Sequence, residues 1–384
     1  LRREAIFACC KWDPQVGDVS VLAPWPLVLA RSEWQRLAGM AEGLARETVA
    51  LEQALLRTPA LQHELHLARP LRSALAAAAD APAACAARLM RFDFHWTTDG
   101  WRVSEVNSDV PGGFNEASGF TALMARHYPR LQPAGDPAGV LAQALAAAAQ
   151  GGPVGLVHAT AYVDDREVME YLKRRLTELG SQALLLSPDH VTWRDGRALV
   201  AGEALGAMLR YFPAEWLPNL GRKTGWRSYF AGAVTPACNP ATALLAQNKR
   251  LPLAWAATRL DVPGWRSLLP ETRDPRAADW ETDPRWVIKP ALGRVGEAIG
   301  IHGVTPEKEW RLIRKAARRR PREWVAQRRF EAVAFEAPGG SIYPCIGVYT
   351  VDSRACGAYG RAGQRALVDG KALEAAVLLA QDGA

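Results

Sequence analysis

The sequence predicts an α+β fold: a helical N-terminal region over 1–90, a hairpin with following helices over 91–150, a small α/β lobe over 151–240, and a further α+β lobe over 241–384. Three observations predict it. The first stretch repeats apolar residues at helical spacing. Residues 91 to 109 alternate apolar and polar around a glycine turn. Beyond 150 the pattern runs strand, helix, strand. With 384 residues, 49% of them hydrophobic, the chain can bury a substantial core in about two or three lobes.

The segment SEWQRLAGMAEGLARETVALEQALLR, from Ser32 to Arg57, has a helical period, and Ser32 with Gln35 has the spacing of a capping box. Ala/Leu-rich helical stretches follow to near Leu89, divided by Pro59, Pro70 and Pro82. A helix is expected from Ala117 to His127. PVGLVHA, a helix from Asp164 to Leu179, and QALLLS form a strand–helix–strand unit, which implies a parallel pair. Asp164 and Asp165 suit the start of that helix, where the dipole favours acids. A second hairpin turns at Asp195-Gly196, before the strand AMLRYF and a helix from Ala241 to Lys249. Past Pro284 come WVIKP, a glycine-bearing stretch, EAIGI, a basic helix, EWVAQRRF and strands near 342 to 350.

A formal charge of +7 suits an anionic partner such as a nucleotide. The run RKAARRRPR from Arg314 to Arg322 has no aromatic interleaving or reading motif, so a solvated helix face is expected there and no nucleic-acid partner. The six cysteines contain no CxxC pair, which suggests neither a zinc site nor a disulfide framework and suits a reducing cytosol. No apolar run of about 18 residues is present, so no membrane partner is expected and the location reads as cytoplasmic.

The strongest site signal is RFDFHWTTDGWRVSEVN. A three-residue loop Thr98-Asp99-Gly100, closed by glycine in the left-handed region, pairs Thr97 with Trp101 and so sets Asp93 opposite Glu105 and Arg91 opposite Asn107. Phe92, Phe94, Trp96 and Val106 then take the other, buried face. A two-residue Asp99-Gly100 loop would instead separate Asp93 and Glu105 onto opposite faces. Two carboxylates and an amide oxygen form the hard, oxygen-only set that magnesium prefers, and a neighbouring arginine can hold a phosphate. Lys289, ending the apolar strand WVIKP just before Gly293, Arg294 and Gly296, suits a lysine that reaches nucleotide phosphates beneath a glycine loop.

RFDF followed by SEVNSDVPGG resembles the glutathionylspermidine synthase family, and the likeness continues through ATALLAQNK, WVIKPALGRVGEAIGI, EWVAQRRF and IGVYTVDSRACGAYGRAG. The resemblance implies an ATP-grasp-like fold in circularly permuted order, with a small pre-ATP-grasp-like α/β lobe. It implies ATP and Mg2+ as cofactors, with Asp93, Glu105 and Asn107 as metal ligands and Arg91 against the transferred phosphoryl group. It assigns Lys249, Lys289, Gly293, Gly296, Gln327 and Arg361 to the nucleotide, Gln327 near adenine and Arg361 on phosphate. Arg294 joins Arg91 in stabilising the phosphoryl in flight, and Ser108 and Asp109 match the loop that touches the family's thiol tripeptide. The implied partners are a small-molecule carboxylate, such as a thiol peptide, and an amine, such as a polyamine, joined through an acyl phosphate. Val295 stands where the family's loop carries an acid, and AGQRALVDGK after Arg361 departs from its acidic tail. An inactive nucleotide-binding relative, acting as a regulatory or scaffold protein, is the alternative.

Overall fold

Leu27–Ala30 runs parallel to Val377–Ala380, and Gln132–Pro133 pairs on that strand's other side, so distant chain segments close one small sheet. The computed structural model describes residues 1–16, 19–293 and 298–382. Arg31–Arg57 is one long helix whose apolar stripe, Leu37, Ala41, Leu44, Leu51 and Leu55, is buried. Its start differs from the expected capping box. Asp382 accepts from the Ser32 backbone N–H at 2.9 Å and from the Ser32 hydroxyl at 2.8 Å, so a residue from the far end of the chain satisfies the helix N-terminus.

The helix packs against the central antiparallel sheet, whose order is Leu373–Ala375, Arg354–Gly363, Gly340–Val351, Leu89–Thr97 and Gly100–Asn107, with Phe335–Ala337 paired to Gly340–Val351. One face of this sheet is apolar: Phe92, Phe94, Val103, Ile346 and Val348 are nearly or wholly buried in the main core. Each such side chain contributes about 1.5–3 kcal/mol when buried, so a one-residue slip that turned them all outward is strongly disfavoured. The opposite face is therefore left to polar residues.

A second antiparallel sheet, ordered Thr272–Arg273, Trp324–Arg328, Trp286–Pro290 and Gly300–Ile301, buries Trp286, Ile288, Trp324 and Ala326 against Trp310 and Ile313 of the helix Glu307–Arg319. Alternation then places Val287, Lys289 and Gln327 on its other face. A third sheet is parallel, with Val154–His158 flanked by Ala183–Leu186 and Ala207–Tyr211, and Val163–Glu178 as the crossover helix. The fold is thus the α+β, ATP-grasp-like type. The helix expected over Ala117 to His127 lies two residues earlier and begins as a wide π turn, Asn115–Phe120, continued by Thr121–Ala125. The helix expected from Ala241 is a 3-10 turn, Ala241–Ala243, followed by Leu244–Gln247. No helix among the described residues is long and apolar enough to cross a membrane.

Candidate active site

The hairpin reaches the expected register near the site by a different route. Thr97 pairs with Gly100, so the loop is the two residues Thr98-Asp99, and Gly100 opens the return strand at φ +83. The Thr97 hydroxyl holds this turn, donating to the Gly100 carbonyl at 2.6 Å and accepting from the Asp99 N–H at 3.2 Å. Continued unbroken, that pairing would not bring Glu105 opposite Asp93. A bulge at Ser104 corrects it: Phe94 faces Val103, then Asp93 faces Glu105 and Arg91 faces Asn107. The reason is burial. Val103 and Val106 lie three apart yet are both buried, at 0% and 6% exposed, which regular alternation forbids and one extra residue permits.

Cross-strand pairing then builds rows on the polar face of the central sheet. One row runs Tyr359, Gly347, Asp93, Glu105, the next Tyr349, Arg91, Asn107, and another joins Glu374, Arg361, Cys345 and His95. Arg91 holds Asp93 with both prongs, Nε to Oδ1 at 2.7 Å and Nη2 to Oδ2 at 2.9 Å, while Nη1 donates to the Gly112 carbonyl at 2.8 Å. Tyr349 donates to the same carbonyl. The Arg91 guanidinium also lies 5.2 Å from the Tyr359 ring centroid and 6.0 Å from that of Tyr349. Gly347 makes room for this: a Cβ there would come within 2.8 Å of Arg91 Cδ and 2.9 Å of Asp93 Oδ1.

The lysines approach from the facing sheet and its neighbour. Lys249 Nζ lies 2.9 Å from Glu105 Oε2 and donates to the Gly293 carbonyl at 3.2 Å. Burial opposes ionisation of Glu105, but the charges of Lys249 and Lys289 outweigh it and hold this carboxyl well below its usual range. Lys289 Nζ donates to Gln327 Oε1 at 2.7 Å and to the Ser104 carbonyl at 3.4 Å, and Gln327 in turn donates to the Thr272 hydroxyl at 3.1 Å. Burial pulls Lys289 down to about 8, with Glu105 opposing and Lys249 adding to it. The Arg361 guanidinium donates to the Asp369 carbonyl, and its buried Nε has no hydrogen-bond partner among the described residues. Arg294 and Gly296 lie outside the described residues.

A slot opens between the two antiparallel sheets, lined by Val287, Lys289, Ile299, Ile301, Gln327, Phe330 and Leu367 as well as Asp93, His95, Glu105 and Arg361. It is apolar with a few convergent polar groups, the make-up of a site for a flat heterocycle. Glu105 and Arg361 also line a cleft of about 740 Å³, where Arg91, Asn107, Gln247 and Gly293 meet the N-terminal segment and the parallel-sheet lobe. This cleft is acidic: Asp13, Asp164, Asp165, Glu116, Glu167, Glu215 and Glu374 line it along with Lys11. An oxygen-only group of Asp93, Glu105 and Asn107 sits at the junction, since Asn107 donates its amide N–H to Asp93 Oδ2 at 3.0 Å and so keeps its own oxygen available. These donor types suit a magnesium ion whose remaining ligands come from phosphates, with Asp93 and Glu105 exchanging their present partners Arg91 and Lys249 for the metal.

Two of the expected positions are built into the scaffold. Ser108 is wholly buried and donates its hydroxyl to the Ala243 carbonyl at 2.9 Å. Asp109 borders the cleft, but its carboxylate is bound to Arg210 and accepts from the Ala214 N–H at 2.9 Å. Sequence reading missed Tyr349, Tyr359, Gly347, Glu116, Glu374 and Lys11, none of which carries a local signal.

The chain resembles the glutathione synthetase-like effector from Globodera pallida, solved in its apo form, at a TM-score of 0.65 and 11% identity, over 93% of this chain and 90% of that one. A putative gamma-glutamylcysteine synthetase from Methylobacillus flagellatus aligns at 12% identity over 86% of this chain and 88% of that one, with a TM-score of 0.44. No curated protein matches the sequence. The model of the glutathionylspermidine synthase pre-ATP-grasp family matches residues 27–373, and the chain therefore belongs to that family.

Proposed function

We propose that this chain is an ATP- and magnesium-dependent carboxylate–amine ligase that forms an amide through an acyl phosphate. One observation carries the reading: the slot and the acidic cleft meet at Glu105 and Arg361, beside Arg91, Asn107 and Gly293. A nucleotide lying in the slot would bring its terminal phosphate to that junction, next to Lys249 and Lys289, with Gln327 toward the base. When bound there, magnesium would neutralise phosphate charge, held by Asp93, Glu105 and Asn107. Arg91 would stabilise the phosphoryl group as it leaves ADP for the substrate carboxylate, so catalysis rests on positioning and electrostatics. Arg294 would add its charge to the stabilisation of that phosphoryl group, as the family resemblance implies. The acidic cleft favours a cationic amine, such as a polyamine, and the acid would be a small carboxylate such as a thiol peptide.

The test is isotopic. A carboxylate labelled with oxygen-18 should deliver one labelled oxygen to the released phosphate, because attack on the γ-phosphorus makes that oxygen the bridge. AMP as product, or unlabelled phosphate, would refute the mechanism. A second reading, an inactive nucleotide-binding relative with a regulatory or scaffold role, is favoured by Asp93, whose oxygens are already engaged by Arg91 and Asn107. ADP release with no carboxylate of a broad panel would select it.

A further inference from the structure

The cleft holds more buried carboxylates than the phosphoryl chemistry uses. Glu116, on the π turn Asn115–Phe120, and Glu374, on the edge strand Leu373–Ala375, converge on Lys11: its Nζ lies 2.7 Å from Glu116 Oε1, 3.1 Å from Glu374 Oε2 and 4.0 Å from Glu167 Oε2. Tyr359, whose ring lies against Arg91, donates its hydroxyl to Glu374 Oε1 at 3.0 Å, and Arg361 is the cross-strand neighbour of Glu374. Glu116 is only 3% exposed, yet its Oε2 accepts no hydrogen bond among the described residues, and Lys11 donates to Glu374 Oε1 at a long 3.5 Å while meeting Oε2 as a charge contact. Three largely buried carboxylates around one ammonium leave an excess of negative charge at this wall of the cleft. A pair of carboxylates so placed gains by taking up one proton between them.

We propose that Glu374, paired with Glu116, is the base that takes the proton from the incoming amine, a role that rests on the ligase reading above. An amine arrives as an ammonium ion with no lone pair to offer. Glu374 accepts one proton from it and becomes a neutral carboxylic acid. The freed lone pair attacks the acyl carbon, the C–N bond forms, and the bond from that carbon to the bridging oxygen breaks, its electron pair leaving on phosphate. The second nitrogen proton passes to that phosphate. The position serves this step, since Tyr359 links Glu374 directly to the Arg91 side of the cleft. Burial and then the charge of Glu116 push Glu374 up to about 7, with Lys11 and Tyr359 pulling it back, so the group is poised to take a proton at neutral pH.

Hydroxylamine separates the two readings, because it is already largely neutral at pH 7 and traps an acyl phosphate as a hydroxamate without a base. Wild type and Glu374→Gln are compared with glutathione first in a panel of carboxylates, using hydroxylamine or spermidine as nucleophile. Glu374→Gln should keep hydroxamate formation within about twofold of wild type and lose amide formation by about 100-fold or more. The rise of amide kcat/KM near pH 7 should disappear with it, and Glu116→Gln should move that rise to lower pH. If amide and hydroxamate formation fall equally, or amide formation is unchanged, the base role is overturned while the ligase reading stands. If wild type forms neither hydroxamate nor ADP with any acid, the ligase reading falls and the base role with it.

Discussion

Replacing Asp109 with Asn should destabilise the seam between the hairpin and the parallel sheet before it touches chemistry. The Asp109 and Arg210 side chains are 1% and 0% exposed. Arg210 also donates to the carbonyls of Asn239 at 3.0 Å and Phe212 at 2.6 Å, so the substitution leaves a fully buried guanidinium with hydrogen bonds but no counter-charge. Breaking a buried pair on one side costs about 3–5 kcal/mol, against about 1 kcal/mol for an ordinary hydrogen bond. Chains with several sheets need not unfold in one step, so the assay is native-state hydrogen exchange at the amides of Ala207–Tyr211, which read this sheet directly. Asp109→Asn should lower their protection by the full amount. Adding Arg210→Met should restore at least about 1 kcal/mol, because the stranded charge is gone. A loss below about 1 kcal/mol in the single variant, or no recovery in the double, would refute the reasoning.

Glu105→Gln combined with Asn107→Ala should cut magnesium-dependent ADP formation by about 100-fold or more, since two of the three proposed oxygen ligands are weakened or lost; undiminished turnover would remove the metal assignment. Gly347→Ala should cost about 1–3 kcal/mol of stability and lower turnover by about 100-fold, as its Cβ displaces Arg91 and Asp93. Wild-type ADP formation in a folded Gly347→Ala protein would show that the Arg91–Asp93 geometry is not needed. Burial works against ionisation of Asp274, but hydrogen bonds from Arg276 and Arg250 outweigh it and hold this carboxyl well below its usual range. A depressed folded value means the stabilisation is complete above the unfolded value and is lost as pH falls below about 4. Acid titration of the fold should therefore be flatter below that point for Asp274→Asn, and an unchanged acid slope would contradict this.

Hydrophobic alternation alone determined which side of the hairpin leaves the core, because Phe92 and Phe94 cannot both be exposed without losing their burial energy. The same local rule placed Lys289, whose neighbours Trp286 and Ile288 must face the helix Glu307–Arg319. Sequence could not decide the turn, because a two-residue loop with a bulge and a three-residue loop bring the same four side chains opposite one another. What chose between them was the demand to bury Val103 and Val106 together, a property of the assembled core. Only the tertiary structure brought Lys11, Glu116 and Glu374 to one point, put Tyr359 under Arg91 and set Asp382 at the start of a helix it does not belong to. Turn and periodicity rules act over a few residues, whereas these contacts follow from sheet order, which joins Leu89–Thr97 to Gly340–Val351 across most of the chain. Ser108 makes the point in reverse: a polar residue in a site motif is buried because the Ala243 carbonyl, distant in sequence, satisfies its hydroxyl.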